Sequence, residues 1–406
     1  MQTSAAVRQR RDAAGPRGSG GPERKAAAVA IRPAVLADLP ALLGLEERCF
    51  RWDRLSRRSF HHLLTRGHAF TLVAETGGGV RGYALVLVNG ATALARLYSF
   101  AVEPEARGAG VGSALLAAAE ARAREDGRAV MRLEVRADDA AVVRLYRRAG
   151  YVPFERIADY YEDGAAALRM EKALAGGDRP GISDVPYYAQ TTEFTCGPAA
   201  LMMAMRALGG DRPLARSEEI RLWRESTTVY MTSGHGGCDP FGLALAAHER
   251  GLRAEVHVAG GGLLFLDSVR SAEKREVMRL VQEDFRAAAA EAGIPAFERG
   301  LGSRDLIAAR EAGAVPIVLV SSWRLYGARE PHWVVVAGHD ERFIYIHDPY
   351  VNYEEHRTPS DGANVPVAHG EFDRMARWGS RRVRAAVIVA RGTASGPTGT
   401  AVHADA

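Results

Sequence analysis

At 406 residues the chain exceeds what one hydrophobic core usually serves, and an apolar fraction of 47% is ordinary for globular protein, so two domains of common size are expected. Its net charge of +4 belongs to residues 1–28, where Arg8, Arg10, Arg11, Arg17, Arg24 and Lys25 face only Asp12 and Glu23, leaving a body with 47 basic and 47 acidic side chains. That balance excludes the electrostatic footprint of a nucleic-acid binder; three cysteines (Cys49, Cys196, Cys238) argue against a disulfide framework and for a reducing cytoplasm, and no apolar run reaches the length of a membrane span.

Residues 1–28, rich in Ala, Gly and Arg, read as a disordered basic tail and lack the apolar stretch of a secretory signal. From Val29 the pattern alternates. A strand at Val29–Pro33 precedes a helix that Asp38 is expected to cap ahead of Leu39, Leu42 and Leu43. Strands at Ala69–Thr76 and Val80–Asn89 are split by Gly77-Gly78-Gly79, a hairpin turn. An apolar strand from Ala93 to Val102 follows, then Arg107-Gly108-Ala109-Gly110-Val111-Gly112, then a helix to Arg124 with Leu115, Leu116, Ala119 and Ala123 on one stripe.

Glycines in such a turn let backbone approach a phosphate, and the unpaired N–H groups of the following helix point at its oxygens. Arg107 can add charge there. Taken alone the turn also fits a tight loop in any α/β protein. The next segment narrows the choice: Leu133-Glu134-Val135-Arg136 ends a strand, and a helix carrying Leu145-Tyr146 stops at Gly150-Tyr151.

These residues resemble the GNAT acetyltransferase superfamily, of the ribosomal-protein alanine N-acetyltransferase (RimI) type, over residues 29–174. The resemblance implies a mixed central sheet flanked by helices and acetyl-CoA as cofactor. Arg107, Gly108, Ala109, Gly110, Val111 and Gly112 would hold its pyrophosphate, and Val102 lies on the strand whose backbone pairs with pantetheine. Asp139 stands where the family commonly has Asn, at the start of the cofactor-proximal helix. The general base falls on Glu134 and the general acid on Tyr146. Acetyl transfer wants such a pair, because an ammonium must lose a proton and a leaving thiolate must gain one. Read without the resemblance, Glu134 is a surface strand carboxylate and Tyr146 a packing aromatic. Asp159-Tyr160-Tyr161 resembles the segment that covers the peptide in this subfamily, and Cys49 reads as a core cysteine.

Composition breaks at residues 175–181, Ala-Gly-Gly-Asp-Arg-Pro-Gly, the expected linker. In the second module, residues 182–392, an extended segment leads to Gln190, and Cys196 opens a helix with Leu201, Met205 and Leu208 on one stripe and Gly209-Gly210 as its stop. A helix N-terminus lowers a thiol pKa and raises its thiolate fraction. Strands are expected at Val315–Val320, His332–Val336 and Phe343–Pro349. His332 at one strand start and Asp348 at the end of the next can meet across neighbouring strands, as a thiolate–imidazole–carboxylate site requires.

This stretch resembles the papain-like, bacteriocin-processing peptidases that cleave double-glycine leaders. The resemblance implies Cys196 as nucleophile, His332 as general base and acid, Asp348 as its orienting carboxylate and Gln190 as oxyanion donor. The fold class is therefore α/β and α+β, a GNAT fold followed by a papain-like cysteine peptidase domain, with residues 393–406 as a disordered tail. His235-Gly236-Gly237-Cys238-Asp239 lacks the third and fourth ligands of a zinc site, and no metal is expected. Residues 268–292 form an amphipathic helix with Val277, Val281 and Phe285 facing its neighbours. Leu174-Ala175-Gly176-Gly177 resembles a double-glycine cleavage site.

The expected function is a cytoplasmic, bifunctional, peptide-modifying enzyme. It would transfer acetyl from acetyl-CoA to an amine, a peptide N-terminus or lysine, and cleave an amide with Cys196. The alternative is an amine N-acetyltransferase whose second domain binds peptide without cleaving it.

Overall fold

The computed structural model describes residues 29–51, 54–161, 163–174, 183–228, 236–260, 262–266 and 269–392. The expected tails at 1–28 and 393–406, the linker at 175–181 with its double glycine, and His235 lie outside the described residues.

The first module comprises β1 (Ala30–Pro33), α1 (Leu39–Cys49), α2 (Arg57–Thr65), β2 (Ala69–Thr76), β3 (Gly79–Val88), β4 (Leu94–Val102), α3 (Val111–Glu125), β5 (Val130–Arg136), α4 (Ala140–Arg148), β6 (Val152–Ile157) and β7 (Ala167–Ala173). Its seven strands run in the order β1-β2-β3-β4-β5-β7-β6. Every pair is antiparallel except β4 and β5, which pair in parallel only from Leu94↔Val130 to Arg96↔Arg132 and then part. Gly77 and Gly78 turn the β2–β3 hairpin with φ of 59° and 82°, the left-handed pair that a tight two-residue turn requires.

Side-chain alternation sorts the sheet into two faces. Ala95, Leu97, Met131, Leu133 and Val135 pack with Leu115, Leu116, Val142 and Tyr146 on the α3/α4 face. Tyr83, Leu85, Tyr98 and Ala101 pack with Leu42, Leu45 and Phe60 on the α1/α2 face. Burying one such Leu or Phe contributes roughly 1.5–3 kcal/mol. Asp38 does not cap α1 as expected: its carboxylate takes two bonds from Arg32, at 2.7 and 2.8 Å, and one from the Val35 N–H at 2.8 Å. A bidentate guanidinium is the stronger partner.

The second module comprises α5 (Cys196–Ala207), α6 (Arg216–Ser226), α7 (Pro240–His248), β8 (Arg253–Ala259), α8 (Ala272–Glu291), β9 (Ala296–Phe297), α9 (Ser303–Glu311), β10 (Val315–Ser321), α10 (Ser322–Tyr326), β11 (Pro331–His339), β12 (Phe343–His347), α11 (Pro359–Gly362), β13 (Val365–Ala368), α12 (His369–Met375) and β14 (Arg384–Ala390). Its sheet runs β13-β12-β11-β10-β14-β8-β9. One face packs against α5 and α7 through Ile317, Leu319, Trp333 and Val335. Of the expected α8 stripe, Phe285 packs against the core and Val281 is half-buried, while Val277 faces solvent; Met278, Gln282 and Ala289 are the buried residues of the helix. Gln282 can be buried because its amide both accepts from the Leu264 N–H and donates to the Leu264 carbonyl.

The other sheet face meets the first module. Ala91, Ala93, Leu94 and Val130 join Val318, Val334, Val336 and Ile346 in one buried cluster. The Ala93 N–H donates to the Pro366 carbonyl at 2.7 Å. Arg96 and Arg132, both almost fully buried, reach across: Arg96 to Asp361 at 2.7 Å and the His356 carbonyl at 3.0 Å, Arg132 to the carbonyls of Ser360, Ala363 and Asn364. Buried guanidiniums persist only where their donors are matched in this way.

Candidate active sites

In the second module Cys196 is the first residue of α5, with Pro198 in the first turn, where a missing N–H costs nothing. Gly197 sets how closely the helix lies on β11, because an added Cβ would come within 3.0 Å of Cys238 and 3.3 Å of Trp333. The antiparallel β11–β12 pair brings the start of one strand beside the end of the other. His332 Nε2 lies 2.7 Å from Asp348 Oδ1, and the Cys196 sulfur acts on the same ring. Cys196, His332 and Asp348 are all buried.

Burial alone would push the His332 imidazolium pKa down; the Asp348 carboxylate and the Cys196 sulfur outweigh it and raise it to about 10. Burial likewise opposes the Asp348 carboxylate, yet Arg357 and His332 hold it below the usual range. Arg357 was not foreseen from the sequence. Its Nη2 lies 2.5 Å from Asp348 Oδ2, and its guanidinium stacks over Tyr326 at 4.8 Å. The Tyr350 N–H adds a bond to Asp348 Oδ1 at 3.0 Å.

Gln190 is fixed by its N–H to the Pro349 carbonyl at 2.9 Å, and its Nε2 donates to the Thr192 carbonyl at 2.8 Å, with one amide hydrogen remaining. The Cys196 N–H belongs to the first-turn donors that have no partner inside the helix. Glu219, also unforeseen, is fully buried beneath this loop and accepts from the Thr191 N–H and hydroxyl at 2.8 and 2.6 Å, from Tyr188 at 3.0 Å and from Thr195. An acidic pair in α6, Glu218-Glu219, was the available signal; both are buried, Glu218 among Arg212, Arg221 and Arg250, and nothing local says which of them lies under the loop. His347 has a structural place, with Nε2 on the Val185 carbonyl and Nδ1 accepting from the Asn364 N–H; burial lowers its pKa to about 4. Among the described residues no group of three or more His, Cys, Asp or Glu is placed to hold a metal ion. Nor is any helix there long and apolar enough to cross a membrane.

In the first module Gly108 and Gly110 have φ of 78° and 82°, so the turn from Arg107 to Gly112 depends on its glycines. Ala109 and Val111 line a cleft of about 320 Å³ there. Arg107 Nε donates to the Val102 carbonyl at 3.1 Å, binding the turn to β4. Asp139 caps α4 by accepting from Ala141 and Val142 at 3.2 and 3.1 Å. Tyr146 is buried against Phe100 of β4, its hydroxyl without a partner among the described residues and its pKa raised by burial. A glycine turn opening onto a helix start, parted strands and an orphaned phenol fit acetyl-CoA in both its phosphates and its sulfur. Cys49 is a core residue, its thiol on the Val102 carbonyl at 3.5 Å and its pKa raised by burial. Tyr161 is buried under Arg136, whose guanidinium lies 4.8 Å from its ring.

Glu134 sits differently from a surface strand carboxylate. It is 1% exposed. Oε2 takes both Nε and Nη2 of Arg96, at 3.2 and 3.0 Å, while Oε1 lies 3.5 Å from Arg169 Nε and accepts from the Ser360 hydroxyl of the second module. Both oxygens are thus engaged, and one partner comes from 226 residues away.

Residues 185–390, just over half of the chain, match the Peptidase_C39 like family, and residues 39–151 match the Acetyltransferase (GNAT) family. An uncharacterized N-acetyltransferase of Methanocaldococcus jannaschii is 37% identical over 27% of this chain and 70% of its own length. The chain belongs to both families. Its GNAT module is an N-acetyltransferase, of a family that takes its acetyl group from acetyl-CoA. A Bacillus subtilis protein named for ribosomal protein bS18-alanine N-acetylation is 29% identical over 35% of this chain and 93% of its own length. The solved ribosomal-protein-S18-alanine N-acetyltransferase of Escherichia coli is 26% identical, covers 37% of this chain and 97% of its own, and superposes with a TM-score of 0.35. The C39-like module accounts for the second seven-stranded sheet and its cysteine helix.

Proposed function

We propose that the chain modifies peptides in two ways: the GNAT module acetylates a peptide amino terminus and the C39-like module cleaves an amide bond through Cys196. The observation that carries the second half is His332 held between Cys196 and Asp348 in a buried site. His332, oriented by Asp348, activates the Cys196 sulfur at the head of α5 by taking its proton. The sulfur attacks the scissile carbonyl carbon. The Cys196 N–H and the remaining Gln190 amide hydrogen steady the oxyanion. His332 then gives its proton to the leaving amine, takes one from water, and hydrolysis frees Cys196.

For the first half, acetyl-CoA supplies an acetyl thioester when bound. Gly108, Gly110 and the first N–H groups of α3 hold its phosphates, and Tyr146 has its phenolic proton available to the leaving sulfur. A peptide amino terminus is the acceptor that the Bacillus subtilis and Escherichia coli relatives suggest by name. Replacing Cys196 by Ala should abolish cleavage of every peptide the parent cuts, by about 10⁴-fold or more, and leave acetyl transfer intact. Peptides cut equally well by both would refute the thiol mechanism. Peptide bound but cut by neither would favour the second reading, a C39-like domain that only holds peptide, for which the burial of Cys196 speaks.

A further inference from the structure

The acid and the expected base of the GNAT module lie on opposite sides of its sheet. Tyr146 and the glycine turn are on the α3/α4 side, while Arg96, Tyr98, Arg132 and Glu134 point to the other. A cofactor seated at the α3 N-terminus reaches the gap between β4 and β5 from one side, so an amine has to approach from the other. That approach is where residues 354–364 of the C39-like module lie.

A cleft of about 440 Å³ remains between the modules, bounded by α2, the end of β3, the start of β4 at Leu94 and Arg96, and residues 354–357 with Asp361. His356 lines it. The left-handed backbone of this residue, φ 62°, is held by Arg96 on its carbonyl at 3.0 Å and by its own N–H on the Tyr353 carbonyl at 3.2 Å. Its Nδ1 lies 2.7 Å from the Tyr98 hydroxyl, and the ring makes no other hydrogen bond among the described residues. In the tautomer whose Nδ1–H donates to the Tyr98 oxygen, the free electron pair is on Nε2, and this is the form the proposal below uses. The charged and titratable groups around the ring are Arg96 and Tyr98 from β4, His62 from α2 and Asp361 from α11. Burial, then Arg96 and His62, lower its pKa below the ordinary histidine value against the pull of Asp361, so the ring is neutral near pH 7.

We propose that the cleft between the modules is the amine-acceptor site of the acetyltransferase, and that His356 of the C39-like module takes the proton from the incoming ammonium. The acceptor is the amino end of an extended peptide: the cleft is far larger than one ammonium needs, and it runs on to Tyr326 and Arg357, the residues packed around His332 and Asp348. His356 Nε2 receives the proton, the freed nitrogen pair forms the C–N bond to the acetyl carbon as the C–S bond breaks, and Tyr146 protonates the departing sulfur. His356 then returns its proton to solvent, and Tyr146 regains one. Glu134 is a positioning residue here, holding the Arg96 guanidinium that fixes the His356 carbonyl. The inference rests on the acetyl-transfer half of the proposed function and not on the thiol half.

The test uses the full chain carrying Cys196→Ala, so that nothing is cleaved, and a panel of fluorescein-labelled hexapeptides with free amino termini. Without acetyl-CoA, some of these should bind, and His62→Trp, a surface change that fills the cleft, should weaken that binding about tenfold or more. The bound peptide should also slow carbethoxylation of His356 by diethyl pyrocarbonate, followed by mass spectrometry. With acetyl-CoA, His356→Gln should lower kcat about 10²–10⁴-fold with KM little changed, whereas Glu134→Gln should alter KM as well by loosening Arg96. No peptide binding, binding indifferent to His62→Trp, an unprotected His356, or a His356→Gln chain transferring acetyl at the parent rate each overturns the inference. Calorimetric titration with acetyl-CoA separates the causes: failure to bind it removes the acetyltransferase reading itself, while normal binding confines the failure to the cleft.

Discussion

Asp348 and Glu134 are two carboxylates buried to the same depth, each beside an arginine, yet their company differs. Asp348 divides its oxygens, one for His332 and the Tyr350 N–H, the other for Arg357. Glu134 divides its oxygens between two guanidiniums and a hydroxyl, none of which can carry a proton to or from a substrate at ordinary pH. On the proposed mechanism, burial and an arginine alone do not give a carboxylate a catalytic role. What matters is whether a titrating partner sits on one of its oxygens and a reacting atom beyond that partner.

The sharpest break of this contrast is Asp348→Asn. It should lower cleavage by about 10³–10⁴-fold, because the amide no longer stabilises the imidazolium, while leaving the fold in place. The parent's cleavage rate should fall at alkaline pH as His332 loses its proton near its raised pKa of about 10, and in the variant that fall should move down toward the ordinary histidine range. An unmoved alkaline limb would show that Asp348 does not govern His332. Glu134→Ala should instead act on stability, costing about 3 kcal/mol in urea unfolding by removing one buried partner each from Arg96 and Arg169, which keep Asp361 and Glu155. A small stability loss with acetyl transfer abolished would give the two carboxylates the same kind of role. Least in effect, Gly110→Ala imposes a left-handed φ on a residue with a Cβ, for about 1 kcal/mol; acetyl-CoA titration should show weakened binding with peptide cleavage unchanged.

What was legible in the sequence follows from how local each feature is. The glycine turn with its helix, and Cys196-Gly197-Pro198 at the head of another, are set within six residues, and both were read correctly as elements. His332 and Asp348 were legible because a two-strand hairpin brings their positions together. Arg357, Glu219 and the partners of Glu134 were not, since long-range packing decides them: Arg96 and Ser360 are 38 and 226 residues distant. Asp38 illustrates the same limit at short range, where a competing arginine six residues back outbids a helix start. On α8 the burial of Gln282 was not legible, because it looks polar in sequence and finds both partners only in the fold.

Glu219 has a consequence for selectivity. With four groups between Tyr188 and Thr195 tied to one carboxylate, the ledge beside the sulfur is preset and cannot remould itself around each arriving chain. On the proposed thiol mechanism, discrimination at this site would then rest on which peptides already match that ledge.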